Sequence, residues 1–266
     1  MAEIYTHGHH ESVLRSHEWR TAANSAGYLL GRLEPGMDLL DVGCGPGTIT
    51  LDLAARVAPG AVLGIDRSDE VIAQAQELVG GRSAPNVRFA TGDVYALDLA
   101  DASFDVVHAH QVLQHLREPV AALRELRRVL RPGGTLAVRD SDYAGFVWAP
   151  RDPMLDRWNE LYHAITEHNG AEADAGRFLL GWAQQAGFRD VEAGSSTWTF
   201  ADPGTRAWWG GLWADRVEQS GFAQQAVDYG LSDAPELAAI ATAWRRWAGQ
   251  PDGFFAVPHA EVLARA

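Results

Sequence analysis

The sequence predicts a doubly wound α/β fold, and three observations carry that prediction. Short apolar runs alternate with helical patterns of about ten residues. Glycine or proline–glycine pairs close the helices. A glycine-rich turn stands between the first apolar run and the helix that follows it. Strands separated by single helices must cross over in parallel, which yields one open sheet with helices on both faces.

Taken in order, residues 1–35 precede the first strand. Ile4–His10 is polar and irregular, and Ser12–Leu33 reads as helical. This segment is expected to form a lid. His7, His9 and His10 have no carboxylate or cysteine at ligand spacing beside them, so no metal site is expected there. Leu39–Val42 reads as the first strand, and Thr48–Val57 as a helix stopped by Pro59-Gly60. Ala61–Ile65 is the second strand and ends at Asp66. Ser68 is placed to cap the helix Asp69–Val79, which stops at Gly80-Gly81. Val87–Thr91 is the third strand and Phe104–Ala109 the fourth. Helix Glu118–Leu130 is closed by Arg131-Pro132-Gly133-Gly134, and Thr135–Arg139 is the fifth strand.

Beyond Asp140 the texture changes. Pro153–His168 and Ala175–Ala186 read as helices, Val191–Phe200 as a strand, Pro203–Gly249 as a helical block, and Gly253–Val257 as the last strand. Nine of the ten tryptophans fall from Trp148 onward. The expected organisation is therefore a lid over residues 1–35, a mostly parallel seven-stranded domain over 36–199 and 253–266, and a helical cap inserted at 200–252.

Composition removes several functional classes. A net charge of −13 speaks against a nucleic-acid partner, which clustered Lys and Arg would have to hold. Arg124, Arg127, Arg128 and Arg131 lie on a helix shared with Glu125 and read as its solvated face. No run of apolar residues is long enough to span a bilayer. Met1–His7 lacks the basic-then-apolar order of a signal peptide, so a cytoplasmic location is expected. Cys44 is the single cysteine, which rules out an internal disulfide and any multi-thiolate metal centre.

The turn Asp41-Val42-Gly43-Cys44-Gly45-Pro46-Gly47 suits close approach of a nucleotide-like ligand to bare backbone. A dinucleotide turn needs Gly-x-Gly-x-x-Gly, whereas here Thr48 stands at the third required position. No Gly-Lys-Ser or Gly-Lys-Thr follows, which removes a phosphate loop. Asp41 at the mouth would repel a pyrophosphate and attract an ammonium. An adenosine carrying a cationic amino-acid tail and no phosphate fits best, and S-adenosylmethionine is such a molecule. Open beside this reading stand a nicotinamide-dependent dehydrogenase and a module that binds S-adenosylmethionine without turnover.

These residues resemble motif I of the class I S-adenosylmethionine-dependent methyltransferases, and among them the ubiquinone/menaquinone-biosynthesis-like, type 11, small-molecule enzymes. The similarity runs through residues 36–140 with several motifs in order. It implies a Rossmann-like sheet and a cofactor site made of Asp41, Gly43, Cys44, Gly45 and Gly47, with Asp66 on the ribose hydroxyls and Arg67 beside it. Gly92, Asp93 and Val94 match the adenine segment. Phe104–His110 matches motif IV, which brings His108 and His110 to the cofactor's methionine end. Leu130–Leu136 matches the turn into strand five. Arg20 is a candidate partner for the cofactor carboxylate.

Methyl transfer from a sulfonium is an in-line displacement in which the protein supplies alignment and, where the nucleophile carries a proton, a base. His110 is the first candidate base. Tyr5 and His10 are further candidates if the lid folds over, and Asp140, Asp142 and Tyr143 should face the same cavity. The fourth strand's exit carries neither an Asn/Asp-Pro-Pro-Tyr/Phe motif nor an acidic metal ligand nor a paired-glutamate loop. The expected activity is metal-independent methylation of a small molecule. The tryptophans suggest an aromatic or hydrophobic acceptor such as a quinone precursor or an indole-containing metabolite. Acceptor atom and oligomeric state, a homodimer included, stay open at this point.

Overall fold

The computed structural model describes residues 19–80 and 84–266. A central sheet runs through the chain, built from β1 (Leu39–Val42), β2 (Val62–Asp66), β3 (Val87–Thr91), β4 (Phe104–His110), β5 (Leu130–Ser141), β6 (Val147–Ala149), β7 (Arg189–Phe200) and β8 (Phe254–Arg265). The order is β3-β2-β1-β4-β5-β8-β6, with β7 on the other edge of β8. The first five strands are parallel, and every pairing of β8 is antiparallel. All four residues of β1 are buried, as a central strand covered on both faces requires.

The helices are α1 (Ala22–Ser25), α2 (Gly27–Leu30), α3 (Thr48–Val57), α4 (Asp69–Gly80), α5 (Pro119–Val129), α6 (Pro153–Asn169), α7 (Leu179–Gln185), α8 (Pro203–Gln219), α9 (Gly221–Asp228) and α10 (Ala234–Ala248). Four of them start with proline in the first turn, where its missing N–H costs nothing. Asp152, Asp202 and Asp233 cap α6, α8 and α10 by accepting from backbone N–H groups of the first turn. On one face of the sheet Leu29, Leu53 and Val57 pack against Leu39 and Val106. The other face carries Leu123, Leu126 and Leu179 against Val107 and Leu136. A third apolar cluster joins α6, α8, α9 and α10 to β7 and β8 around Trp158, Trp213, Trp244 and Trp247.

Several boundaries differ from the sequence reading among the described residues; β5, for one, starts at Leu130 rather than Thr135 and takes in the expected Arg131–Gly134 turn. Among the described residues the sheet has eight strands, the additional one being the three-residue β6 paired to the start of β8. The last strand extends through Pro258, His259 and Glu261, where polar residues break the apolar period, because Arg139 and Gln111 meet them there. The helical pattern before Leu33 is interrupted at Ala26 into α1 and α2, with a capping box at Thr21 and Asn24. The remainder of the expected lid, with Tyr5 and His10, lies outside the described residues. No described helix is long and apolar enough to cross a membrane.

Candidate active site

At the carboxyl ends of β1, β2 and β3 the chain forms one end of a cavity of about 670 Å³. This is the edge where open α/β sheets take ligands. Gly43, Gly45 and Gly47 all have positive φ (65°, 55° and 86°), so the turn exists only because these positions lack side chains. A Cβ on Gly43 would sit 2.4 Å from Val112 Cγ2, and one on Gly47 2.6 Å from Phe89 Cζ. Gly47 ends the turn as the N-cap of α3 without a side-chain cap, and Thr48 opens the helix at the cavity wall.

Asp66 fixes this turn and also faces the cavity. Its Oδ2 accepts from the Gly45 N–H at 3.2 Å and its Oδ1 from the Ser68 N–H at 3.1 Å. Arg67, Gly92, Asp93 and Val94 line the same end, and the Tyr95 N–H donates to Asp93 Oδ1 at 2.9 Å. Two carboxylates at the rim, bare backbone in the turn and no phosphate-binding lysine suit an adenosine with a cationic tail. Cys44 also lines the cavity. Burial, and then the charges of Asp41 and Asp66, push its thiol well above its ordinary range, so it acts as a small packing residue rather than a nucleophile.

Two expected cofactor contacts are placed differently. His108 is wholly buried and stands outside the cavity wall. Its Nδ1–H donates to Asp41 Oδ1 at 2.7 Å, because β1 and β4 run in parallel with Asp41 and His108 in register. Thr50 Oγ1 donates to Asp41 Oδ2 at 2.5 Å. Asp41 reaches the cavity wall, but both of its oxygens already tie β1 to β4 and to α3, and His108 is a positioning residue for it. Gly47 likewise shapes the turn without lining the cavity.

The far end of the cavity is aromatic. Tyr143, Phe146, Trp198, Trp208, Trp209 and Trp213 line it, with Trp19 packed against Trp198 and Trp208. Trp209 stacks on Phe200 at 4.3 Å, and Trp19 meets Trp198 edge-on at 5.1 Å. Trp198 Nε1 donates to the Asn24 carbonyl at 2.7 Å, which draws the described start of the chain against β7. Trp158, Trp244 and Trp247 lie away from the cavity and fill interhelical space.

Between the two ends stand His110, Gln111, Gln114 and His115. His110 is buried, and neither of its ring nitrogens makes a hydrogen bond among the described residues. Burial, followed by the charges of Arg20 and Arg139, holds its pKa well below 6.5, so the imidazole is neutral. His115 is lowered too, its pKa falling to about 3 through burial and then through Arg20, Arg67 and Arg216. Asp140 is fully buried and stands behind the wall, where burial raises its pKa to about 8. Its Oδ1 accepts from the Gln114 N–H at 3.2 Å and so holds the turn after β4. Asp142 accepts from Arg177 and caps the following turn. Arg20 lines the cavity and donates to Gln111 Oε1 at 2.6 Å.

Sequence reasoning did not single out Gln111 or His259. His259, on β8, lies 148 residues from Gln111, and their side-chain nitrogens are 2.8 Å apart. In the structure Gln111 has φ +54°, a left-handed conformation uncommon for a non-glycine residue that Ala102 and Asp190 share here.

A methyltransferase-domain family model matches residues 33–192. A Schizosaccharomyces pombe protein described as an uncharacterized methyltransferase is 34% identical over 97% of this chain and 95% of its own length. The 2-methyl-6-phytyl-1,4-hydroquinone methyltransferase of Synechocystis is 28% identical, covering 79% of this chain and 64% of the relative. Among solved structures, the YcgJ protein of Bacillus subtilis superposes with a TM-score of 0.59 at 19% identity, covering 90% of this chain and 96% of that one. That last likeness concerns the fold.

Proposed function

The chain belongs to the class I S-adenosylmethionine-dependent methyltransferases, and we propose that it methylates a small aromatic molecule held at the tryptophan-lined end of the cavity. The observation that carries this reading is the continuity of one cavity from the glycine turn to the aromatic wall, with a neutral imidazole between them. The name of the Synechocystis relative, a hydroquinone methyltransferase, supports an aromatic acceptor.

When bound, S-adenosylmethionine supplies an electrophilic methyl group on a sulfonium. In this reading Asp66 would accept from the ribose hydroxyls, Asp93 would accept from the adenine amine, and the Gly43–Gly45 backbone would hold the amino-acid tail. The aromatic wall aligns the acceptor and excludes water, and alignment of this kind is worth ~7–11 kcal/mol of barrier. His110 Nδ1 or Nε2 takes the acceptor's proton, since its lone pair is not committed to the fold. Trp19 and Arg20 would cover the acceptor together with Trp208, Trp209, Trp213 and Arg216 of α8, against which α9 and α10 pack.

Purified protein with methyl-labelled cofactor and a panel of hydroxylated and amino aromatics tests the reading. Label should appear in an aromatic product; failure to bind S-adenosylmethionine or S-adenosylhomocysteine would sink it. His110→Ala should lower kcat by about 10²–10⁴-fold and leave cofactor affinity intact. Unchanged turnover would return His110 to a structural role.

A further inference from the structure

We propose that Gln111 selects an oxygen nucleophile, by donating one fixed amide N–H to the hydroxyl that His110 deprotonates. The inference rests on the aromatic-acceptor reading and adds the acceptor atom to it.

Hydrogen-bond polarity fixes the amide. A guanidinium only donates, so the Gln111 oxygen must face Arg20, as it does at 2.6 Å. The Gln111 nitrogen then faces His259 Nε2 at 2.8 Å, and that nitrogen has to accept. It can accept only if the His259 proton sits on Nδ1, and His259 Nδ1 is 2.9 Å from the Val257 carbonyl, an obligate acceptor. Every polarity in the chain Arg20–Gln111–His259–Val257 is thereby set. The backbone is held as well, since Gln111 N–H donates to the Arg139 carbonyl at 2.7 Å in the left-handed conformation.

An amide nitrogen carries two hydrogens, and His259 takes one. The second belongs to a half-buried residue in the cavity wall, directly after His110. A phenolic hydroxyl can serve both neighbours, giving its proton to His110 and accepting from Gln111 through a lone pair. An amine cannot, because its single lone pair must attack the methyl carbon while its N–H groups oppose the Gln111 donor. In the transfer the O–H bond breaks toward His110 and an oxygen lone pair forms the O–CH₃ bond. The C–S electron pair remains on sulfur, leaving S-adenosylhomocysteine, a methyl ether and an imidazolium that returns its proton to solvent. The Gln111 N–H stabilises the negative charge on oxygen before transfer.

Matched pairs differing only in hydroxyl and amino groups, such as 1-naphthol and 1-naphthylamine, test the inference with the full chain. Wild-type protein should methylate the hydroxyl member with the higher kcat/KM, and Gln111→Met should lower that value about 10–100-fold while binding S-adenosylhomocysteine normally. Preferred methylation of the amine, or undiminished turnover by Gln111→Met, overturns it. 4-Nitrophenol, whose phenolate absorbs visible light, gives a second readout on the S-adenosylhomocysteine complex. The wild-type complex should hold more phenolate at a given pH than either Gln111→Met or Gln111→Glu, and an equal or absent phenolate band in the wild type overturns the role of Gln111. Cofactor binding with no methylation of any aromatic overturns the aromatic-acceptor reading instead, and the 4-nitrophenol comparison still decides Gln111.

Discussion

His110 and Asp140 show how far burial, as the leading cause, can move a side chain's chemistry. A base of ordinary pKa would lose activity as pH fell through 6.5, but His110 is held neutral well below that value. The acid limb of kcat/KM should therefore lie below pH 6.5, and a half-maximum at or above 6.5 would show that another group titrates. For Asp140 the folded-state pKa rises from 3.8 to about 8, so the native state prefers the protonated acid. Its contribution to stability is complete below about pH 4 and is lost as pH rises toward 8, at a slope approaching ~1.4 kcal/mol per pH unit between those limits. Asp140→Asn keeps the acceptor for the Gln114 N–H and removes the ionisation. Its melting temperature relative to wild type should climb between pH 4 and pH 8; a difference independent of pH would contradict the assignment.

Among the elements, β8 does the most to join the sheet to the site. Its C-terminal half pairs with β5, its N-terminal half with β6, and its other edge with β7. It thus carries His259 to Gln111 and Glu261 to the buried Arg139. Arg139 in turn lies over Trp198, 4.9 Å from the ring centroid, and Arg20 lies 5.6 Å from it. The helical block is held by close backbone approach. A Cβ on Gly210 of α8 would stand 2.8 Å from Ala248 Cβ and 2.9 Å from the Trp244 carbonyl, so α8 and α10 would have to separate. Gly210→Ala should cost ~1–3 kcal/mol by overpacking, read from the urea midpoint, while Gly211→Ala, whose Cβ would meet nothing within 4 Å, should not. Equal midpoints for the two variants would show that this contact yields without strain.

On the scale of the whole molecule, a ligand that binds only the folded state raises its stability by mass action. S-adenosylhomocysteine at 100 times its Kd should add ~2.7 kcal/mol, a thermal shift of several degrees. Asp66→Ala should abolish most of that shift, because the carboxylate both holds the Gly45 N–H and faces the ligand. A full shift in the variant would leave Asp66 no part in binding. The parallel half of this fold and its glycine turn were legible in the chain because they rest on local causes: apolar period, positive φ at glycine, and capping by short polar side chains. The pairing of Asp41 with His108 could have been read from two polar residues near the ends of adjacent parallel strands. Gln111 was not legible, since nothing near it in sequence names His259 or Arg20 as its partners. The sequence by itself determined the methyl donor and the sheet edge that takes it, because one turn and the strand ends beside it carry that chemistry. Only tertiary structure decided which histidine keeps free nitrogens at the cavity wall, which tryptophans wall the cavity, and how the Gln111 amide is turned. Those properties depend on burial and on hydrogen-bond polarity passed between residues far apart in the chain.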